Sequence, residues 1–118
     1  MKKKILVMDD DPSLQEIFKL ILEKAGYAVD FLTNGNDILE DCYQVPDLFF
    51  LDKQLSGTDG LEICQHLKNQ VTTKDIPVII ISATVGIGAM AQKAGADSFI
   101  EKPFDKGHLL EVVKKHIR

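Results

Sequence analysis

The chain is predicted to be an α/β protein, a doubly wound parallel sheet of five β-α units with helices on both faces. Short apolar runs recur at residues 5–8 (ILVM), 48–51 (LFFL), 78–81 (VIII) and 98–100 (SFI), too continuous for half-exposed strands and too short for helices. Helical periods separate them. The 118 residues, 45% hydrophobic and 27% charged, make a single domain of ordinary globular composition spanning 1–118, with no room for a second.

The first run is followed by a helix with Leu14, Ile17, Phe18, Ile21 and Leu22 along one face. Asp11 can cap it, Pro12 suits its first position, and Gly26 falls just past its end. A weaker strand, 28–32, lies between Gly26 and Asn34-Gly35, and Ile38, Leu39 and Cys42 mark a second helix. After the strand at 48–51, Leu61, Cys64 and Leu67 mark a third, which places both cysteines on apolar helix faces. The segment before Gly95 is the fourth helix. Gly86 and Gly88 stand where it should begin, and each costs a helix interior about 1 kcal/mol relative to alanine, so a late, short helix is expected. Leu109, Leu110, Val113 and Ile117 define the fifth.

Composition excludes several classes of function. With 14 basic against 18 acidic residues the net charge is −4, and no arginine occurs before Arg118. The dense basic stripe of a nucleic-acid binder is missing, so direct nucleic acid binding by this chain is not expected. The uncharged stretch 76–91 is shorter than the roughly 20 apolar residues of a membrane span and contains Pro77, Gly86 and Gly88. After Met-Lys-Lys-Lys only four apolar residues precede Asp9, which does not make an export signal. Cys42 and Cys64 have neither metal-ligand spacing nor the number for a disulfide framework, and a cytoplasmic location is expected.

In open parallel sheets, ligands bind beyond the carboxyl ends of the strands. Here those ends carry Asp9-Asp10-Asp11, Asp52, Ser82-Ala83-Thr84 and Glu101-Lys102-Pro103. Converging carboxylates repel one another and raise each other's pKa unless a cation neutralises them. Magnesium suits a few carboxylates completed by water. Asp11 is read as a helix cap alone. His66, His108 and His116 share no ligand spacing, and Gly86-Ile87-Gly88 is wrongly flanked for a dinucleotide loop.

Over nearly its whole length the chain resembles the receiver domains of two-component response regulators, the chemotaxis regulators among them. The resemblance is carried by residues 5–11 (ILVMDDD), 47–52 (DLFFLD) with Asp59-Gly60, Ile79-Ile80-Ile81-Ser82-Ala83, Ala94-Gly95-Ala96-Asp97 and Lys102-Pro103-Phe104. It implies a flavodoxin-like (βα)5 fold with strand order 2-1-3-4-5. It also implies a phosphorelay protein whose Asp52 is phosphorylated by a histidine kinase or histidine phosphotransfer protein. The chain would not be an enzyme in the usual sense, though it would catalyse its own phosphorylation and dephosphorylation. By the same resemblance Asp9, Asp10, Asp52 and the carbonyl of Gln54 hold Mg²⁺, while Lys102, the Ser82 hydroxyl and the Ala83 amide bind phosphoryl oxygens. Ser82 and Phe99 are the switch pair, Gln54 and Thr84 tune hydrolysis, and Lys102-Pro103 is a cis peptide. The switched state would act on a downstream protein or output domain, with residues 84–91 becoming ordered on activation.

Two residues depart from the family pattern: Ser56 replaces the usual proline, and Lys53, read as a solvated side chain, puts a cation beside the site. A flavodoxin-type electron carrier fits poorly, because Asp9-Asp10-Asp11 would repel the cofactor phosphate. An aspartate-nucleophile phosphatase is expected to carry a second aspartate where this chain has Gln54. The alternative retained is a receiver-like interaction module that acts without phosphorylation; loss of Asp52, Asp10 or Lys102 would favour it, and all three are present.

Overall fold

The structure, a computed structural model, describes residues 2–33, 35–40, 43–55 and 58–117, with Gln54, Leu55 and Thr58 described as backbone. Five strands, β1 (Lys4–Met8), β2 (Ala28–Leu32), β3 (Leu48–Asp52), β6 (Val78–Ser82) and β7 (Ser98–Glu101), form one parallel sheet in the order β2-β1-β3-β6-β7. Counting only these strands, the order is the expected 2-1-3-4-5. A two-stranded antiparallel ribbon, β4 (Gln54–Leu55) with β5 (Thr58–Asp59), follows β3 and was not anticipated.

The helices are α1 (Pro12–Lys24), α2 (Gly35–Leu39), α3 (Gly60–Lys68), α4 (Ile87–Lys93) and α5 (Lys106–His116). The pleat divides the apolar runs into two cores. Leu6, Met8, Phe49, Leu51, Val78 and Ile80 meet α2, α3 and α4 through Ile38, Ile63, Cys64, Leu67, Ile87 and Ala91. Ile5, Val7, Leu48, Phe50, Ile79, Ile81 and Ile100 meet α1 and α5 through Phe18, Leu22, Leu109, Val112 and Val113. Burial on both faces is why these strands lack polar alternation.

Helix ends follow their local chemistry. The Asp11 carboxylate accepts from the Ser13 amide, Pro12 opens α1, and Gly26, with φ +99°, follows the Ala25 cap. Ile17 corrects the reading of α1: the predicted apolar face buries Phe18 and Leu22, but Ile17 is 47% exposed because the helix presents only a narrow stripe to the sheet. On α2, Ile38 is buried whereas Leu39 faces outward, and Cys42 lies outside the described residues. The fourth helix is short and late as expected. Gly86 caps it with φ +79°, a left-handed conformation that glycine adopts without a Cβ clash. Within residues 84–91, whose ordering on activation is expected, Ile87 and Ala91 are buried and belong to α4.

At the other end of the sheet, the Asp97 carboxylate accepts from the Val78 amide (2.8 Å) and from Lys68 Nζ (2.7 Å), and the same ammonium donates to the Ile76 carbonyl (2.9 Å). This knot ties the end of α3 to the starts of β6 and β7. Among the described residues, no helix is long and apolar enough to cross a membrane.

Candidate functional site

Strand register brings the polar strand ends together. Met8 pairs with Leu51, Asp52 with Ile81, and Ser82 with Glu101, so Asp9, Asp52, Ser82 and Lys102 follow one another across the carboxyl edge of β1, β3, β6 and β7. They line an open cleft of about 400 Å³ together with Asp10, Asp11, Ala83 and Thr84.

Asp52, the last residue of β3, is 8% exposed, and its Oδ2 accepts a 2.9 Å hydrogen bond from Lys102 Nζ. The same ammonium stands 3.9 Å from Asp9 Oδ2. Asp9 is 1% exposed; its Oδ1 accepts from the Asp11 amide (2.9 Å), whereas the buried Oδ2 has no hydrogen-bond partner among the described residues. Burial raises the Asp9 carboxyl to about 6 from an ordinary 3.8; the Asp11 amide opposes the rise, Asp52 adds to it, and Lys102 lowers it again. Two carboxylates therefore share one lysine, with one carboxylate oxygen left unsatisfied.

An orphaned, buried carboxylate oxygen beside further carboxylates fits a hard divalent cation. Among the described residues no three histidine, cysteine or carboxylate side chains form a ready metal cage. Magnesium needs none, since it keeps several of its waters and takes one or two carboxylates. The donor set here suits that ion.

The loops are held in place locally. Gln15 Nε2 donates to the Asp9 carbonyl, fixing the β1–α1 turn from inside α1 (2.6 Å). The Thr84 amide donates to Ser82 Oγ (2.9 Å), and the Lys102 amide donates to the Ser82 carbonyl (2.8 Å). The Lys102-Pro103 peptide is cis, as the resemblance implied. After Asp52, the β4–β5 ribbon folds back so that the Gly60 amide donates to the Lys53 carbonyl (2.8 Å). A Cβ on Gly60 would lie 2.2 Å from the Asp52 carbonyl oxygen, so only glycine permits this approach.

Of the residues singled out from sequence, the cleft gathers Asp9, Asp10, Asp52, Ser82, Ala83, Thr84 and Lys102. Asp11 lines it too, while acting as the cap of α1. Gln54 opens β4, two residues beyond Asp52. Phe99 does not line the cleft; it is 39% exposed at the sheet edge, against α4. Sequence reading missed the anchoring by Gln15, for which no pattern exists. It also missed the clearance at Gly60, whose only signal was the Asp59-Gly60 pair.

The family profile of the response regulator receiver domain matches residues 5–114. The chain is 36% identical over 118 residues, 98% of its length, to the DNA-binding dual master transcriptional regulator RpaA of Synechocystis, of which it spans 49%. The crystal structure of response regulator protein TrrA from Thermotoga maritima, in complex with Mg²⁺-BeF, superposes with a TM-score of 0.86 at 32% identity, covering 99% of this chain and 100% of that one. The signal receiver domain of a histidine kinase from Syntrophus aciditrophicus gives 0.86 at 32% identity, covering 96% and 88%. Sheet order, the acidic cleft with its lysine and the extent of these matches agree: the chain belongs to the response regulator receiver domain family of two-component systems.

Proposed function

We propose that this chain is a Mg²⁺-dependent phosphoacceptor, phosphorylated on Asp52 by a histidine kinase or histidine phosphotransfer protein. The observation that carries the reading is the Lys102 ammonium, 2.9 Å from the Asp52 carboxylate and 3.9 Å from an Asp9 oxygen that, among the described residues, accepts no hydrogen bond. That arrangement can hold both a cation and a phosphoryl group.

In the proposed reaction an Asp52 oxygen attacks the phosphorus of a phosphohistidine protonated on its other ring nitrogen; the P–N bond breaks, its electron pair stays on nitrogen, and neutral imidazole leaves. Transfer of this kind depends on positioning and on neutralising charge. Asp9, Asp10, Asp52 and the Gln54 carbonyl would hold Mg²⁺, which supplies positive charge to the phosphoryl oxygens. Lys102 moves from pairing with the free carboxylate to pairing with a phosphoryl oxygen. The Ser82 hydroxyl, now engaged by the Thr84 amide, and the Ala83 amide take another. Drawing Ser82 toward the phosphoryl group turns Phe99 inward, and Gln54 and Thr84 set the access of the hydrolytic water. The chain thereby catalyses its own phosphorylation and dephosphorylation, in the cytoplasm. Its output passes through a downstream protein or an attached output domain rather than through nucleic acid contacts of its own.

The test is incubation with a small acyl phosphate and Mg²⁺, followed by intact mass. One phosphoryl group should be added, and Asp52→Asn should prevent it. Undiminished labelling of Asp52→Asn overturns the assignment.

A further inference from the structure

Gly88 is the second residue of α4, where alanine would be the stronger helix former. Its φ is not in the left-handed region, unlike that of Gly86, so backbone conformation does not explain the missing side chain. Space does. A β-carbon on Gly88 would lie 2.9 Å from both Cε1 and Cζ of Phe99, and 3.6 Å from Cδ1. The Phe99 ring therefore rests on bare helix backbone. It forms the wall between two open grooves, one of about 290 Å³ beside Gly88, Ala91 and Gln92 and one of about 440 Å³ beside Phe104, His108 and Val112.

The same ring shares a face of the sheet with Ser82, which lines the cleft. Phe99 pairs with Ile80, and Ser82 stands two residues further along β6, hence on the same face. Ser82, Phe99 and Gly88 thus make a short series leading from the phosphoryl site to α4.

We propose that Gly88 is a positioning residue for Phe99: its bare backbone seats the ring in the outward place and so sets how readily the domain enters its phosphoryl-bound state. This deepens the functional reading above and rests on the coupling of Ser82 to Phe99 stated there. Turning the ring inward vacates the seat, so contact with Gly88 stabilises the resting arrangement alone. A ligand's apparent affinity is reduced by the fraction of molecules outside the competent state. Removing the seat raises that fraction.

The experiment uses the full chain with Mg²⁺ and beryllofluoride as the phosphoryl probe. It compares the parent, Gly88→Ala, Phe99→Ala and the double variant, with 4-fluorophenylalanine at position 99 reporting ring environment by ¹⁹F NMR. Gly88→Ser carries the same β-carbon and is the second variant. In Gly88→Ala the ring resonance should move, before any ligand is added, toward its position in the saturated parent. Beryllofluoride should bind about three- to tenfold more tightly, whereas in the Phe99→Ala background the Gly88 substitution should leave affinity unchanged. An unmoved resonance with parental affinity overturns the proposal. An equal gain without the Phe99 ring does so too, since helix propensity would then explain everything. A parent that takes up no beryllofluoride overturns the phosphoacceptor reading and this proposal with it, whereas a binding parent matched by Gly88→Ala overturns this proposal alone.

Discussion

Lys102 holds the Asp52 carboxylate at 2.9 Å while standing 3.9 Å from Asp9, so one ammonium serves two nearly buried carboxylates at the ends of adjacent strands. On the proposed reading it fills the electrostatic role that a divalent cation would take over, so the lysine would compete with the metal and, with a phosphoryl group present, act alongside it.

Lys102→Ala separates these two roles. Removing a like charge should strengthen Mg²⁺ binding by on the order of tenfold, while removing a partner of the phosphoryl oxygens should slow phosphorylation by on the order of tenfold or more. Titration calorimetry and phosphorylation rates read the two effects separately, and parallel losses in both would contradict this division.

On the proposed reading Mg²⁺ would bind the folded state alone and should therefore stabilise it. At ten times its dissociation constant the gain is about 1.4 kcal/mol, roughly 5 °C in melting temperature. Asp10→Ala should abolish most of it. The ion-free protein should depend on pH through Asp9, which folding raises from 3.8 to about 6. Between these values the folded chain holds more proton than the unfolded chain. The resulting stability is complete below about pH 4 and lost as pH rises through about 6. Melting in EDTA at pH 4.5 and 7 measures the loss, and Mg²⁺ should restore stability at the higher pH.

The Cys64 thiol is buried between α3 and the sheet and donates to the Ala94 carbonyl (3.5 Å). Burial pushes it up from 9.0 to about 11; Lys68 counteracts part of this and Asp97 adds to it. In a Cys42→Ser background, alkylation at pH 8 should be negligible in the folded protein and rapid in denaturant. Because folding favours the protonated thiol, its contribution to stability persists below about pH 9 and falls as pH rises through about 11. Native labelling as fast as that of a free thiol would contradict this burial.

Gln54 lies two residues beyond Asp52, the proposed acceptor, at the start of the β4–β5 ribbon. A neutral amide there can hold the attacking water, so the aspartyl phosphate should be shorter-lived than in slow members of the family. Gln54→Leu should lengthen its lifetime several-fold, as followed by loss of the added mass after the donor is removed. An unchanged lifetime removes Gln54 from this role.

The three central strands β1, β3 and β6 were legible because each is buried on both faces and so reads as an unbroken apolar run; the start of α1 was legible because Asp11 and Pro12 are local signals. The outward turn of Ile17 was not, since periodicity marks an apolar face without saying how wide a stripe the sheet covers. At the cleft, residue types and their positions after each strand pointed to Asp9, Asp52, Ser82 and Lys102, because register does the gathering. The approach of Gly60 to the Asp52 carbonyl and of Phe99 to Gly88 depends on how elements distant in sequence pack, and a glycine letter records only that a side chain is missing.

The sheet is also a ruler, and the Asp97 knot is its zero mark. By tying the Val78 amide to the start of β7, it fixes where β6 begins, and four residues later the strand delivers Ser82 to the level of the cleft. A single residue added within a strand would turn every following side chain to the other face, whereas a change of length in a connecting loop leaves the register alone. The pairing of Ser82 with Glu101 thus carries Lys102 to Asp52 across a connection whose helix, α4, spans only Ile87–Lys93.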